Sequence, residues 1–154
     1  MKIWIDNDAC PKIIKEVILK ASRRLEVEVV LVANRDMAAP KSNLISMVKV
    51  PQGADIADAY IVDQMEPHHI VITADIPLAD AVVTKGGVAI NPRGHLYTEA
   101  NIKERLSMRD FMEDLRSGGM VHGGPSAFSL KDKERFANTL DRTLTKALRK
   151  FSKD

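Results

Sequence analysis

The residues in this chain best suited to chemistry are aspartates, and they come in pairs. IWIDNDACP carries Asp6 and Asp8, GADIADAYIV carries Asp55 and Asp58, and VITADIPLAD carries Asp75 and Asp80. Asp55 and Asp58 are three apart at the start of a segment with helical spacing, which puts both on one helical face. Carboxylates gathered in one place repel each other and hold protons more tightly unless a cation neutralises them. Hard oxygen ligands favour Mg²⁺ or Mn²⁺, whereas the lone Cys10 and the scattered histidines offer no zinc-ligand spacing. Such ions activate a water and stabilise charge on a phosphoryl group in transfer, so phosphodiester hydrolysis is the natural reaction class. Each acid also has an ordinary role open to it. Asp55 can cap a helix, Asp8 can sit in the turn before Pro11, and Asp75 can cap the helix that opens at Pro77. Asp63 falls outside the three pairs and reads as a solvated helix charge.

These positions depend on the elements around them. Lys2 to Asp6 reads as a buried strand, and Pro11 opens a helix whose Ile13, Ile14, Val17, Ile18, Ala21 and Leu25 repeat at helical spacing. Val27 to Ala33 becomes continuously apolar, as a strand buried on both faces does. A strand over Ile45 to Val50, a helix over Ala54 to Met65, a strand over His69 to Thr73, a helix over Pro77 to Thr84 and a strand over Val88 to Ile90 follow. Strands alternating with helices imply right-handed crossovers and a three-layer α/β/α sandwich with a mainly parallel sheet. In such sheets ligands bind beyond the carboxyl ends of the strands, where Asp6, Asp8 and Asp75 fall. After Asn91-Pro-Arg-Gly94 the pattern changes to helices over Tyr97 to Arg116 and Lys131 to Phe151. A glycine-rich loop around His122 joins them. The expected organisation is one domain over 1–154, with an α/β core at 1–91 and a helical extension at 92–154.

With 154 residues, 45% hydrophobic and 29% charged, the chain can bury a core without disulfides or a structural metal. One cysteine, no signal-peptide pattern and no long apolar run point to a cytoplasmic protein without a membrane span. The net charge of +2 is too balanced to mark a nucleic-acid binder by bulk electrostatics. Its distribution is uneven: residues 1–100 hold 11 basic and 13 acidic side chains, residues 101–154 hold 12 and 8. Aromatics, at 5%, are too few for an extended base-stacking platform. Phosphate contacts are expected from Arg35 and Arg93, whose guanidinium forks suit phosphate oxygens, with Lys41, His122 and Lys131 beside them. The glycines at 118–131 would let that loop approach the acidic rim. The ordinary fate of each of these cations is a surface charge, and Cys10 reads as a small buried side chain. His68 and His69, before an apolar strand, read as structural or exposed.

Taken together, IWIDNDACP, ADIADAYIV, ITADIPLAD, NPRGHLYTEANI and GGPSAFSLKDKERF resemble the YaiI/YqxD family of bacterial proteins, within the wider PIN-like nuclease superfamily. The resemblance covers nearly the whole chain and implies a parallel α/β/α sandwich with an acidic metal site. Residue by residue it carries the first-strand acid onto Asp6, the middle-helix acid onto Asp55 or Asp58, the later strand-end acid onto Asp75 and the next acid onto Asp80. Asp8 and the GGP segment lie outside the superfamily's general pattern. The resulting expectation is a PIN-type hydrolase using Mg²⁺ or Mn²⁺ on RNA or another phosphodiester. Asp6, Asp58 and Asp75 would carry catalysis, Asp8, Asp55 and Asp80 would join them at the metal, and homo-oligomerisation is left open. Two rivals are a haloacid-dehalogenase-like phosphatase, suggested by Asp6-Asn7-Asp8, and a non-catalytic nucleic-acid-binding or regulatory module. The phosphatase reading is the weaker, because Ala9-Cys10-Pro11 replaces the Thr or Val expected after its second Asp.

Overall fold

The first strand, β1 (Lys2–Asp6), is apolar on both sides: Ile3 and Ile5 enter one core and Trp4 the other. Such a strand needs cover on both faces, which places it in the middle of a sheet. The computed structural model describes residues 1–36, 38, 42–53, 55–117 and 128–152. β1 runs through a short 3₁₀ turn at Asn7–Ala9 into α1 (Lys12–Leu25), which returns to β2 (Glu28–Ala33). The chain then passes to β3 (Ile45–Lys49), α2 (Ile56–Gln64), β4 (Ile70–Ile72), α3 (Ile76–Thr84) and β5 (Val88–Ile90). It ends with β6 (Leu96–Tyr97), α4 (Glu99–Ser117) and α5 (Leu130–Ser152).

Among the described residues the strands form one sheet in the order β3-β2-β1-β4-β5-β6, parallel except for β6. From β1 the chain builds outward to β3, then crosses back over the sheet to place β4 on the other side of β1. Ile5 pairs with Ile72 and Asp6 with Val32, so Asp6 and Thr73 leave the sheet side by side. This is the reversal point of an open α/β sheet, where a crevice opens beyond the strand ends.

Helices cover both faces. Ile14 and Ile18 of α1 pack with Phe136, Leu140 and Leu144 of α5 on Ile3, Ile5, Leu31, Ile72 and Ile90. On the opposite face Ile61 of α2, Met65 just after it, Leu78 and Val82 of α3 and Ile102 of α4 pack on Trp4, Val30, Val71 and Ala89. The three-layer α/β/α sandwich expected from the alternating pattern is the observed fold. No helix among the described residues is long and apolar enough to cross a membrane.

One element differs in kind from the sequence reading. Tyr97 does not start a helix: Leu96 and Tyr97 pair antiparallel with Ile90 and Ala89. The reversal is made by Asn91-Pro-Arg-Gly94, in which the Gly94 N–H donates to Asn91 O and the Asn91 N–H to His95 O, both at 2.8 Å. Asn91 Nδ2 also donates to the Tyr97 hydroxyl at 3.0 Å. A two-residue strand leaves no alternation to detect, whereas the helix behind it has a strong period.

Candidate metal centre

α2 begins in an unusual way. Asp55 stands just before it with φ 61° and ψ 12°, a left-handed conformation that a non-glycine residue adopts at a cost, with Asp among the more tolerant types. Its carboxylate makes no cap hydrogen bond, so the expected capping role is not taken up. One turn on, Asp58 faces the same side. α3 starts conventionally: Asp75 is its cap and accepts from the Leu78 N–H at 2.9 Å, with Pro77 in the first turn. The buried Thr73 hydroxyl accepts from the Asp75 N–H at 2.9 Å and fixes the bend by which the chain leaves β4. Sequence reasoning passed over Thr73; its signal is a hydroxyl two residues before a strand-end Asp.

These local choices bring Asp55, Asp58 and Asp75 together, with one carboxylate oxygen of each within 4.8 Å of the others. They open on a cleft of about 560 Å³ between α2 and α3, walled by Val62, Pro77, Leu78 and Ala81. Burial pushes the Asp58 carboxyl up to about 6 from 3.8, and the charges of Asp75, Asp6 and Asp55 reinforce it. Burial also raises Asp6, helped by Asp8 and Asp75 and opposed by the N–H groups of Asp8 and Ala9. Asp6 therefore stands in the field of the trio without belonging to it. Mutual repulsion among half-buried carboxylates is the condition that a bound cation relieves, and an all-oxygen donor set fits a hard divalent ion.

The remaining candidates separate. Asp8 turns towards the end of β2: one oxygen accepts from the Asn34 N–H at 2.9 Å and the other pairs with Arg35 Nε at 3.4 Å. Arg35 is thereby occupied by an acid that the sequence reading assigned to the metal. Asp80 sits further along α3, outside the trio. Asp63, set aside from sequence, lines the same cleft from α2, exposed and joined to Gln64 Nε2 at 2.8 Å. Arg93 is also committed. It pairs with Asp132 at 2.7 Å and lies over the Phe128 ring at 4.4 Å, tying the β5–β6 turn to the start of α5. Lys131 is exposed in the first turn of α5. Lys41, His122 and most of the glycine-rich loop lie outside the described residues. Burial pushes the Cys10 thiol up to about 12, leaving it without thiolate reactivity. His69 is structural: Nδ1 accepts from Trp4 Nε1 at 3.0 Å and from the Glu66 N–H at 3.1 Å, at the opposite end of the strands from the acids.

Over residues 4–146 the chain matches a family model described as "Uncharacterized BCR, YaiI/YqxD family". A UPF0178 protein of Geobacter metallireducens is 57% identical over 151 residues, covering 98% of this chain and 97% of the relative. A UPF0178 protein of Trichlorobacter lovleyi is 54% identical over 153 residues, covering 99% of each. No solved structure matches. The chain belongs to the YaiI/YqxD family.

Proposed function

We propose that this protein is a divalent-metal-dependent phosphodiesterase, with Mg²⁺ or Mn²⁺ held by Asp55, Asp58 and Asp75 and with RNA as the substrate class. One observation carries the reading: three carboxylates from two helix starts converge within 4.8 Å at the reversal point of a parallel sheet, with Asp6 of β1 beside them. A structural role for these groups does not account for Asp55, which holds a left-handed backbone and caps nothing. A bound divalent ion would supply an activated water and charge stabilisation at the phosphoryl group. The chain's own residues do the positioning. Thr73 and the Leu78 N–H hold Asp75, the first turn of α2 presents Asp55 and Asp58, and Asp6 adds negative charge from β1. RNA is the substrate that the resemblance to PIN-like nucleases suggests.

The phosphatase alternative needs a proton on Asp8 beside a nucleophilic Asp6. Asp8 is instead turned to the end of β2, where its carboxylate is taken up by the Asn34 N–H and Arg35, which favours the nuclease reading. The test is cleavage of labelled single-stranded RNA with Mn²⁺, by wild type and by Asp58→Asn and Asp75→Asn. Manganese-dependent cleavage that falls by about a hundredfold or more in both variants is expected. Metal binding without cleavage of any RNA or DNA probe would overturn the catalytic reading and leave a binding module.

A further inference from the structure

A second cleft, of about 550 Å³, lies along the sheet edge between the β5–β6 hairpin and α5, and it has the opposite character from the acidic one. His68, His95, Arg105, Arg142 and Lys146 line it, and among the described residues no carboxylate does. They converge from separate elements: His95 from the hairpin, Arg105 from α4, and Arg142 and Lys146 from one face of α5 at helical spacing. Among the described residues, no acid lies within ion-pair distance of Arg105, Arg142 or Lys146. The Arg105 guanidinium is held 5.4 Å from the Tyr97 ring centroid, so it is positioned before any ligand arrives. Burial first, and then the positive charges of Arg105, Arg135 and Arg93 against the opposing Asp132, hold the His95 pKa below its ordinary value. Val88, Leu96 and Ala147 supply apolar wall beside the cations.

A concave site of this volume, part apolar and lined by Arg105, Arg142 and Lys146 with no acid at ion-pair distance among the described residues, suits a ligand with a charged end and a flat or apolar body. Arginine serves both, forking onto phosphate oxygens or stacking on a base. We propose that the cleft between α5 and the β5–β6 hairpin binds the phosphate of a nucleoside phosphate ester, carried by a free nucleotide or by a nucleic-acid strand, through Arg105, Arg142 and Lys146. The site is separate from the acidic cleft and does not need the metal reading to hold.

The experiment is equilibrium binding in EDTA-containing, low-salt buffer, with ADP in one arm and a fluorescent single-stranded hexanucleotide in the other. Wild type is compared with Arg142→Gln/Lys146→Gln, whose exposed side chains can change without disturbing the core, and folding is checked by melting temperature. Binding in either arm that weakens about tenfold or more in the double variant is expected, and the arm that responds identifies the source. Absence of binding in both arms, or affinities unchanged in a folded double variant, would overturn the proposal.

Discussion

Asp75 shows how one carboxylate can serve both structure and chemistry: one oxygen caps α3 through the Leu78 N–H, yet the group remains within reach of Asp55 and Asp58. Asp75→Asn keeps a cap acceptor and removes the charge, so it tests cation binding without dissolving the helix start. Mn²⁺ at roughly tenfold its dissociation constant is expected to stabilise the wild type by about 1.4 kcal/mol, read by thermal or urea denaturation. Asp75→Asn and Asp58→Asn should lose that gain; an equal gain in both variants would put the ion elsewhere. The same crowding predicts the pH response of the metal-free protein. Asp58 is raised from 3.8 to about 6 on folding, so the folded state binds its proton more tightly. Its contribution is complete below the unfolded value and is lost as pH rises through about 6. Buried His69 acts oppositely: its folded pKa lies below 6.5, so its contribution is present above that value and fades as pH falls. Subtracting the Asp58→Asn stability profile from that of wild type cancels His69. The difference is expected to favour wild type increasingly as pH falls through about 6, and a flat difference would contradict the crowding.

At the scale of elements, the β5–β6 turn and the start of α5 form one joint. Ser129 and Asp132 make a reciprocal cap: the Asp132 N–H donates to Ser129 Oγ at 3.2 Å and the Ser129 N–H to Asp132 Oδ2 at 3.0 Å. Arg93 pairs with that same Asp132, and the Thr139 hydroxyl donates to Gly94 O at 2.7 Å. Gly94 has φ 94°, and a Cβ there would lie 2.6 Å from the backbone of Arg135 and Phe136. Backbone atoms on one helix cannot yield as a side chain can. Gly94→Ala is therefore expected to cost more than about 2 kcal/mol in urea denaturation, from strain and forced separation of turn and helix together. Arg93→Ala should lower the melting temperature while leaving the Mn²⁺ shift intact, because Arg93 pairs with Asp132 and lies over Phe128 rather than joining the acidic trio. If it instead leaves stability untouched and weakens oligonucleotide binding, the phosphate role expected from sequence is restored.

For the whole molecule, the sheet is stable only if both faces stay covered, and α5 supplies a large part of one cover. Phe136, fully buried in one core with Leu140, Leu144, Ile72 and Ile90, holds this last helix to β4 and β5. Phe136→Ala is expected to cost about 3–5 kcal/mol by urea denaturation, whereas a helix merely appended to the sandwich would lose far less. The alternation of apolar strands with amphipathic helices was enough to determine the three-layer architecture, because each element must bury a face whose period is written locally. It also located Asp6, Asp55, Asp58 and Asp75, since strand ends and helix starts are local features. The sequence could not separate Asp8 from Asp55 as a member of the acidic cluster, nor tell that Arg35 and Arg93 have acids of their own. Nor did it register the basic cleft, whose His95, Arg105, Arg142 and Lys146 are scattered over three elements. Such groupings depend on the order in which strands pair and on the rotation of each helix about its axis, which are fixed only when the two cores close.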